Sequence, residues 1–322
     1  MTAPLCQIAL SVADVAESHA WYRQAFGLLP ASGTNAFKGF FASRVQGIPD
    51  VASSCWWLMD GQDFFQLELF QFHKPKARPL PDDWRPSDIG YSTIGLWLAD
   101  FDGVLERLAE LGTQPLTEVQ GTPGRRRVCV RDPQGVLLEL LEEHPLESGH
   151  ECDRQCDAAI VSVTLSVADL AASGEFFRDL LGLDDCDIQL HGPEHEALWQ
   201  LPGASSQRRV LRAGQVLVEL AHYPDARPRP DDYCLADLGI LNIAIGYRSR
   251  RDFNSTYRRC LAAGVKGNWR PLDLGTWKVV YVNDPQGFSV ELLHVLPVWD
   301  ARMGFKPGIE PPAIPAKYAR SH

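Results

Sequence analysis

The chain repeats itself, and that repetition limits its fold more than any other feature. The segment SVADVAESHAWYRQAFGL at 11–28 returns as SVADLAASGEFFRDLLGL at 166–183, identical at nine of eighteen positions. PKARPLPDDWRPSDIG at 75–90 returns as PDARPRPDDYCLADLG at 224–239, and RDPQGVLLELL at 131–141 as NDPQGFSVELL at 283–293. Three blocks in the same order, offset by 155, 149 and 152 residues, mean a duplicated domain. The boundary falls in the polar stretch near 144–158. This predicts domains at 1–146 and 157–297, each of ordinary domain size, followed by a proline-rich arm at 298–322. The prolines predict an extended arm, one that covers a pocket mouth, clasps a second subunit or stays loosely ordered.

Each half is itself doubled. An alternating strand followed by a capped helix occurs four times, near residues 5, 91, 160 and 240. In the first, Ile8, Leu10 and Val12 share one face and Gln7, Ala9 and Ser11 the other. Asp14 then caps a helix, with Glu17 three residues later and Gly27 as a left-handed stop. Each unit closes on an apolar strand with one glutamate inside it: Glu68, Glu139, Glu219 or Glu291. The fold class expected is α+β, with four βαβββ units at about 5–72, 90–144, 159–223 and 238–295.

Charge and cysteine usage narrow the function. Forty-one acidic against 31 basic residues give a net charge of -10, a poor match for a polyanion, so nucleic acid is not an expected partner. No run of about 18 apolar residues is present and the start lacks a secretion signal, so neither membrane insertion nor export is expected and the chain reads as cytoplasmic. The eight cysteines include no C-x-x-C pair and are read as reduced thiols.

The four glutamates carry the chemistry. Each lies between two aliphatic neighbours, which by strand alternation pack under the helices and leave the carboxylate on the opposite, concave face. A carboxylate buried there without a cation has a raised pKa and becomes a general base near neutrality, or binds a metal. Two such groups across one cleft can move a proton between carbon centres. The ordinary alternative is an exposed sheet edge, or an arginine partner from Arg125, Arg126, Arg127, Arg208 and Arg209. The cleft faces of the first strands are small or polar, while Trp97 falls on that face and Trp56, Trp57, Trp199 and Trp277 lie nearby. This suits a hydrophobic, oxygen-bearing small molecule, unless the tryptophans simply fill interfaces. His73, His144, His222 and His294 are read as strand-end surface residues. In the H-x-x-E-H run at His191, Glu194 and His195, Gly192-Pro193 argues against the helix that would align metal ligands. The duplicated P-x-A-R-P-x-P-D-D connector reads as a stiff spacer that sets the angle between units and brings Arg78 and Arg227 towards the cleft mouths.

The fourfold βαβββ unit, the S-V-A-D helix opening and the D-P-Q-G turn before x-x-E-L-L resemble the vicinal oxygen chelate superfamily. Its members include glyoxalase I, epimerases, extradiol dioxygenases and bleomycin-binding proteins. The resemblance covers roughly 5–295 and implies that paired units curl around a cleft, with ligands from the first and last strands. The first-strand positions fall on Gln7, Thr93, Ser162 and Asn242, and the last-strand positions on the four glutamates. The family's usual histidines are missing. Tyr281, ten residues before Glu291, sits where extradiol enzymes keep a tyrosine.

Together these readings predict an enzyme doing isomerase-, epimerase- or lyase-like acid–base chemistry. Two alternatives stand beside it: a metal-dependent ring-cleaving dioxygenase and a non-catalytic binder of the bleomycin-resistance type. The candidate catalytic residues are Glu139, Glu68, Glu291 and Tyr281. Trp97, Thr93, Ser162, Asn242 and Glu219 are candidate substrate contacts. Gln7, Glu68 and Glu139 are the candidate ligands of one divalent metal (Mn, Ni, Mg, Zn or Fe) in the N-terminal half, taken as the better-equipped site. A homodimer is the expected assembly.

Overall fold

The computed structural model describes residues 4–32, 35–146 and 156–308. The first unit comprises β1 (Leu5–Ser11), α1 (Val15–Phe26), β2 (Leu29–Pro30), β3 (Asn35–Lys38), α2 (Gly39–Gln46), β4 (Ala52–Met59) and β5 (Gln66–Lys74). The second holds β6 (Gly90–Leu98), α3 (Phe101–Glu110), β7 (Arg127–Arg131) and β8 (Leu137–Leu141). The third holds β9 (Ala158–Ser166), α4 (Leu170–Glu175) running into a π turn at Phe176–Leu180, β10 (Asp184–Cys186), β11 (Gln207–Ala213) and β12 (Val216–His222). The fourth holds β13 (Gly239–Tyr247), α5 (Arg250–Ala262), β14 (Leu272–Asp273), β15 (Trp277–Asn283) and β16 (Ser289–Val295). The architecture is α+β, four variations on one βαβββ unit.

Local chemistry sets these elements as read. Asp14 caps α1 by accepting from the amides of Ala16 and Glu17, and Gly27 ends it at φ 66°. Asp100 and Asp169 cap α3 and α4 in the same way, and Ser249 caps α5. The residues flanking each glutamate, such as Leu67 and Leu69 or Val290 and Leu292, enter one apolar core shared by all four units. Each fully buried aliphatic side chain there contributes about 1.5–3 kcal/mol. That alternation forces the glutamates onto the other face of each sheet.

The sheets do not follow the halves of the sequence. The second and third units, consecutive in the chain, place β6 and β9 antiparallel, and their seven strands run β10-β11-β12-β9-β6-β8-β7. The first and fourth units pair through β1 and β13, in the order β14-β15-β16-β13-β1-β5-β4-β2 with β3 on β4. The pairing is therefore nested: units two and three form an inner sheet, units one and four an outer one. Buried Asp60 joins the first unit to the third, accepting at 2.7 Å from the amide of Ile160, while the Gln62 amide donates to the Ile160 carbonyl at 2.8 Å.

The tail departs from the extended reading. Residues 297–308 form a short 3-10 turn and then a strap packed on the outer sheet: Phe305 is buried against Phe64, and the Gly308 amide donates to the Pro30 carbonyl at 2.7 Å. Gly304 sits at φ 77° where a Cβ would come within 2.6 Å of the Trp57 ring, so only glycine passes over that indole. Residues 309–322 lie outside the described residues, as does Cys152.

Candidate active site

The nested pairing gives each sheet one concave cleft containing two glutamates. In the outer cleft Glu68 stands in register with Ala9 on β1, and Glu291 with Ala244 on β13. Across the junction Gln7 pairs with Ala244 and Ala9 with Asn242, so Gln7 and Asn242 occupy equivalent places on their two first strands. A cavity of about 270 Å³ opens here, lined by Gln7, Glu68, Tyr281 and Glu291 together with Trp57 and Phe70. Its roof is α2, with Phe41, Ala42 and Val45 on the cavity, and the strap contributes Met303. α2 is tied to the fourth unit: Asn268 donates to the Val45 carbonyl at 3.1 Å, and Phe40 and Phe41 meet Trp269.

Burial drives the electrostatics of this cleft. It pushes Glu68 up to about 7, against hydrogen bonds from Cys55 Sγ at 3.1 Å and Trp57 Nε1 at 2.9 Å that hold one carboxylate oxygen. Glu291 is pushed up to about 8, by burial first and then by the charge of Glu68. The Tyr281 phenol is raised by burial and by Glu291 and Glu68, so it stays protonated. Among the described residues no cation pairs with either glutamate. Buried Gln7 Oε1 and Asn242 Nδ2 have no partner among the described residues. The Gln66 amide, in the orientation its neighbours dictate, accepts from Gln7 and donates to the carbonyls of Met303 and Gly304.

The donors of this cleft fit one kind of metal. No three His, Cys, Asp or Glu side chains come together as ligands among the described residues. Two mutually repelling carboxylates and an unpaired amide oxygen are instead hard oxygen donors, the set that a Mg²⁺- or Mn²⁺-like ion takes with water. Glu68, Glu291 and Gln7 would hold it.

The inner cleft has the same skeleton and a different content. Glu139 is in register with Gly95 on β6 and Glu219 with Thr164 on β9. Between the two carboxylates lies the buried His191 ring, with Nε2 2.6 Å from Glu139 and Nδ1 2.7 Å from Glu219. Arg127 reaches Glu139 at 3.2 Å, and Arg208 reaches Glu219 at 2.7 Å and Glu196 at 2.9 Å. Trp199 Nε1 donates to Glu139 at 2.9 Å, as Trp57 does to Glu68. Burial disfavours the charged imidazole, yet the two glutamates outweigh it and raise His191 to about 9. Burial likewise opposes ionisation of Glu139 and Glu219, but His191 and the arginines hold both below the usual carboxylate range. The loop between β10 and β11 supplies His191, Glu196 and Trp199, while Arg127 stands on β7 and Arg208 on β11. The loop also packs Leu198 and Trp199 against Cys129 and Leu137, and Leu190 against Val210 and Leu217, filling the cleft.

The sequence-derived candidates separate accordingly. Gln7, Glu68, Glu291 and Tyr281 come together on the outer cavity, and Asn242 lies beside them on β13. Glu139 belongs to the inner sheet, so Gln7, Glu68 and Glu139 do not form one ligand set and the N-terminal half by itself encloses no site. Glu219 is neutralised rather than free. Thr93 and Ser162 are buried at the β6–β9 junction. Trp97 packs with Leu141, Ala159 and Val161 and donates to the Glu142 carbonyl, the structural fate of an interface tryptophan. His294 is buried, with Nδ1 2.9 Å from the Tyr247 carbonyl, and is not a surface residue. In the H-x-x-E-H run only His191 meets the glutamates. Pro193–Ala197 is a 3-10 turn and the Glu194 side chain is 68% exposed, so the run chelates nothing. The sequence reading missed α2 and the plugging role of His191. α2 lacks a side-chain cap and exposes Phe40 and Phe41, so neither start signal nor amphipathic period announces it.

The fold is shared with known proteins. No curated protein matches the chain in sequence. In structure it is similar to glyoxalase I from Zea mays, with a TM-score of 0.60 at 16% identity over 90% of this chain and 92% of that one. It is also similar to a candidate dioxygenase from Bacillus subtilis, with a TM-score of 0.65 at 14% identity over 98% and 93%. At such identities the likeness is one of fold. The family profile covers both halves of the repeat, residues 5–140 and 159–292, and the chain therefore belongs to the Glyoxalase/Bleomycin resistance protein/Dioxygenase superfamily.

Proposed function

We propose that the outer cleft is the active site of an enzyme that moves a proton between positions of a small, largely apolar molecule carrying a carbonyl or hydroxyl group. One observation carries this reading: Glu68 and Glu291, buried at equivalent places of two paired units, face one cavity with no cation beside them among the described residues. A pair titrating near 7 and 8 offers one ionised and one protonated carboxyl at neutral pH, the requirement for base and acid in a single turnover. Glu68 has one oxygen fixed by Cys55 and Trp57. Its other oxygen takes the proton from the carbon beside the carbonyl. Glu291 returns a proton on the opposite side, and the protonated Tyr281 donates to the substrate oxygen. A divalent ion held by Glu68, Glu291 and Gln7, where bound, supplies Lewis-acid polarisation of that oxygen. The cavity has room for about nine waters at ~30 Å³ each, a molecule of one or two rings, and aromatic walls to match.

The donor set weighs against the ring-cleaving alternative. A non-haem iron site of that type uses two histidines and a carboxylate, and the first-strand positions here hold Gln7 and Asn242. Pure binding uses the same cavity and is separated by turnover. The test is proton exchange in D₂O, followed by ¹H NMR over a panel of aryl α-hydroxy ketones and their isomers. Loss of the α-proton signal catalysed by the wild type and abolished in both Glu68→Gln and Glu291→Gln is the expected result. Exchange that persists in both variants, or binding with no exchange across the panel, overturns the proposal. Any divalent ion carried by the chain is expected to leave in Glu68→Gln/Glu291→Gln, read by elemental mass spectrometry.

A further inference from the structure

A second cavity, larger than that of the outer cleft, lies away from both clefts. It has a volume of about 770 Å³, within the range of small-molecule sites, and its walls are the two copies of the duplicated connector. The copies cross with near-twofold symmetry. The Leu238 amide donates to the Arg78 carbonyl at 2.8 Å, and the Ile89 amide to the Arg227 carbonyl at 2.9 Å. Arg78 grips Asp237 at 2.7 Å and also Asp232, while Arg227 grips Asp88 at 2.6 Å and also Asp83. The arginines therefore lock one connector to the other instead of reaching the cleft mouths. With prolines at 79, 81, 228 and 230 the walls are fixed before any ligand arrives.

What these walls leave over is apolar surface and negative charge. Trp84, Tyr91, Tyr233 and Leu80 face the space. Six aspartates against three arginines line it; each locking arginine is shared by two aspartates, and Asp88 is also held by Arg85 at 3.2 Å. Asp82 and Asp231, counterparts in the repeat, take part in no ion pair among the described residues, and Arg229 lies over Tyr233 and Phe288 without a carboxylate partner. Arg131 lies over Trp84 as Arg229 lies over Tyr233, so the unpaired charge is that of carboxylates at two symmetric points on the rim of an apolar cleft, a setting that favours a cation with an apolar body.

We propose that this inter-connector cleft is a second ligand site, separate from the outer cleft, which takes an organic amine or other cation with an aromatic or aliphatic body. The test titrates the protein with dansylcadaverine, a cationic aromatic probe, and with neutral dansylamide, following dansyl fluorescence. Saturable binding at least fivefold tighter for the cation is expected, with the preference reduced in 0.5 M NaCl and lost in Asp82→Asn/Asp231→Asn. Leu80→Trp, which fills the cleft, should remove both probes, and Glu68→Gln/Glu291→Gln should leave both unchanged. Equal affinity for the two probes overturns the proposal, as does binding insensitive to Leu80→Trp. Loss of binding in Glu68→Gln/Glu291→Gln would place the probe in the outer cleft and also overturn it. The salt titration on wild-type protein needs no variant to fold.

Discussion

In the outer cleft Glu68 and Glu291 face open space, whereas in the inner cleft Glu139 and Glu219 close on His191 with Arg127 and Arg208 behind them. Strand positions, flanking aliphatics and even the tryptophan on one carboxylate oxygen are shared. The difference lies in one insertion per sheet. The loop between β10 and β11 dives into the inner cleft, while β3 and α2 lie across the outer one as a roof. An imidazolium takes the place between the inner carboxylates that the outer cleft leaves open. The repeat thus holds two equal frames, one closed by its loop on an ion-paired plug and one left open, the latter being the proposed site of chemistry.

The comparison breaks most sharply at His191. His191→Ala leaves two carboxylates buried without their shared cation and should cost about 3–5 kcal/mol in urea unfolding. Glu291→Gln in the outer cleft relieves repulsion and should leave stability unchanged or raised. Equal losses from the two changes would mean that the clefts are not electrostatic opposites. Next comes activity: Glu68→Gln should lower exchange about 10²–10⁴-fold, the usual span for a general base, with Glu139→Gln close to wild type in rate per folded molecule.

Acidity separates the clefts again. A carboxylate raised from 4.5 to about 7 or 8 contributes stability below pH 4.5 that is lost as pH rises through those values. His191, raised from 6.5 to about 9, holds its contribution below 6.5 and loses it through 9, and the depressed Glu139 and Glu219 lose theirs only on acidification. Among the cleft groups only the outer pair lowers stability as pH rises from 5 to 6.5, at most about 1.4 kcal/mol per pH unit per group, beside buried Asp132, whose carboxyl is pushed up to about 6. The fall of urea midpoints over that window should become shallower in Glu68→Gln/Glu291→Gln. Exchange activity should peak between pH 7 and 8. The smallest effect expected is at the strap: Gly304→Ala, which drives a methyl into Trp57, should cost about 1 kcal/mol and weaken ligand binding in the outer cleft, measured by tryptophan quenching.

The fold was legible because repetition and caps are local. Asp14, Gly27 and the alternation around each glutamate specify strand, helix and face without reference to distant residues. The assembly was not legible: β1 can pair with any equivalent first strand, and nothing in its seven residues says whether β6 or β13 lies beside it. The site followed the assembly. Glu68, Glu291, Gln7 and Tyr281 line one cavity, while Glu139 stands in the other sheet, where its partner His191 arrives from a loop with no period. His191 was visible only as part of a motif that its own Gly-Pro step excluded.

Nesting also orders events in time. The inner sheet is complete once β12 has been made, but the edge of β1 must wait for β13, whose last residue follows the end of β5 by 173 residues. At ~5–20 residues per second that is about 9–35 s with an apolar strand edge unpaired. During that interval the first unit of one nascent chain can pair with the first unit of another. A chain arrested after its first half would carry half of a cleft and a template for its twin.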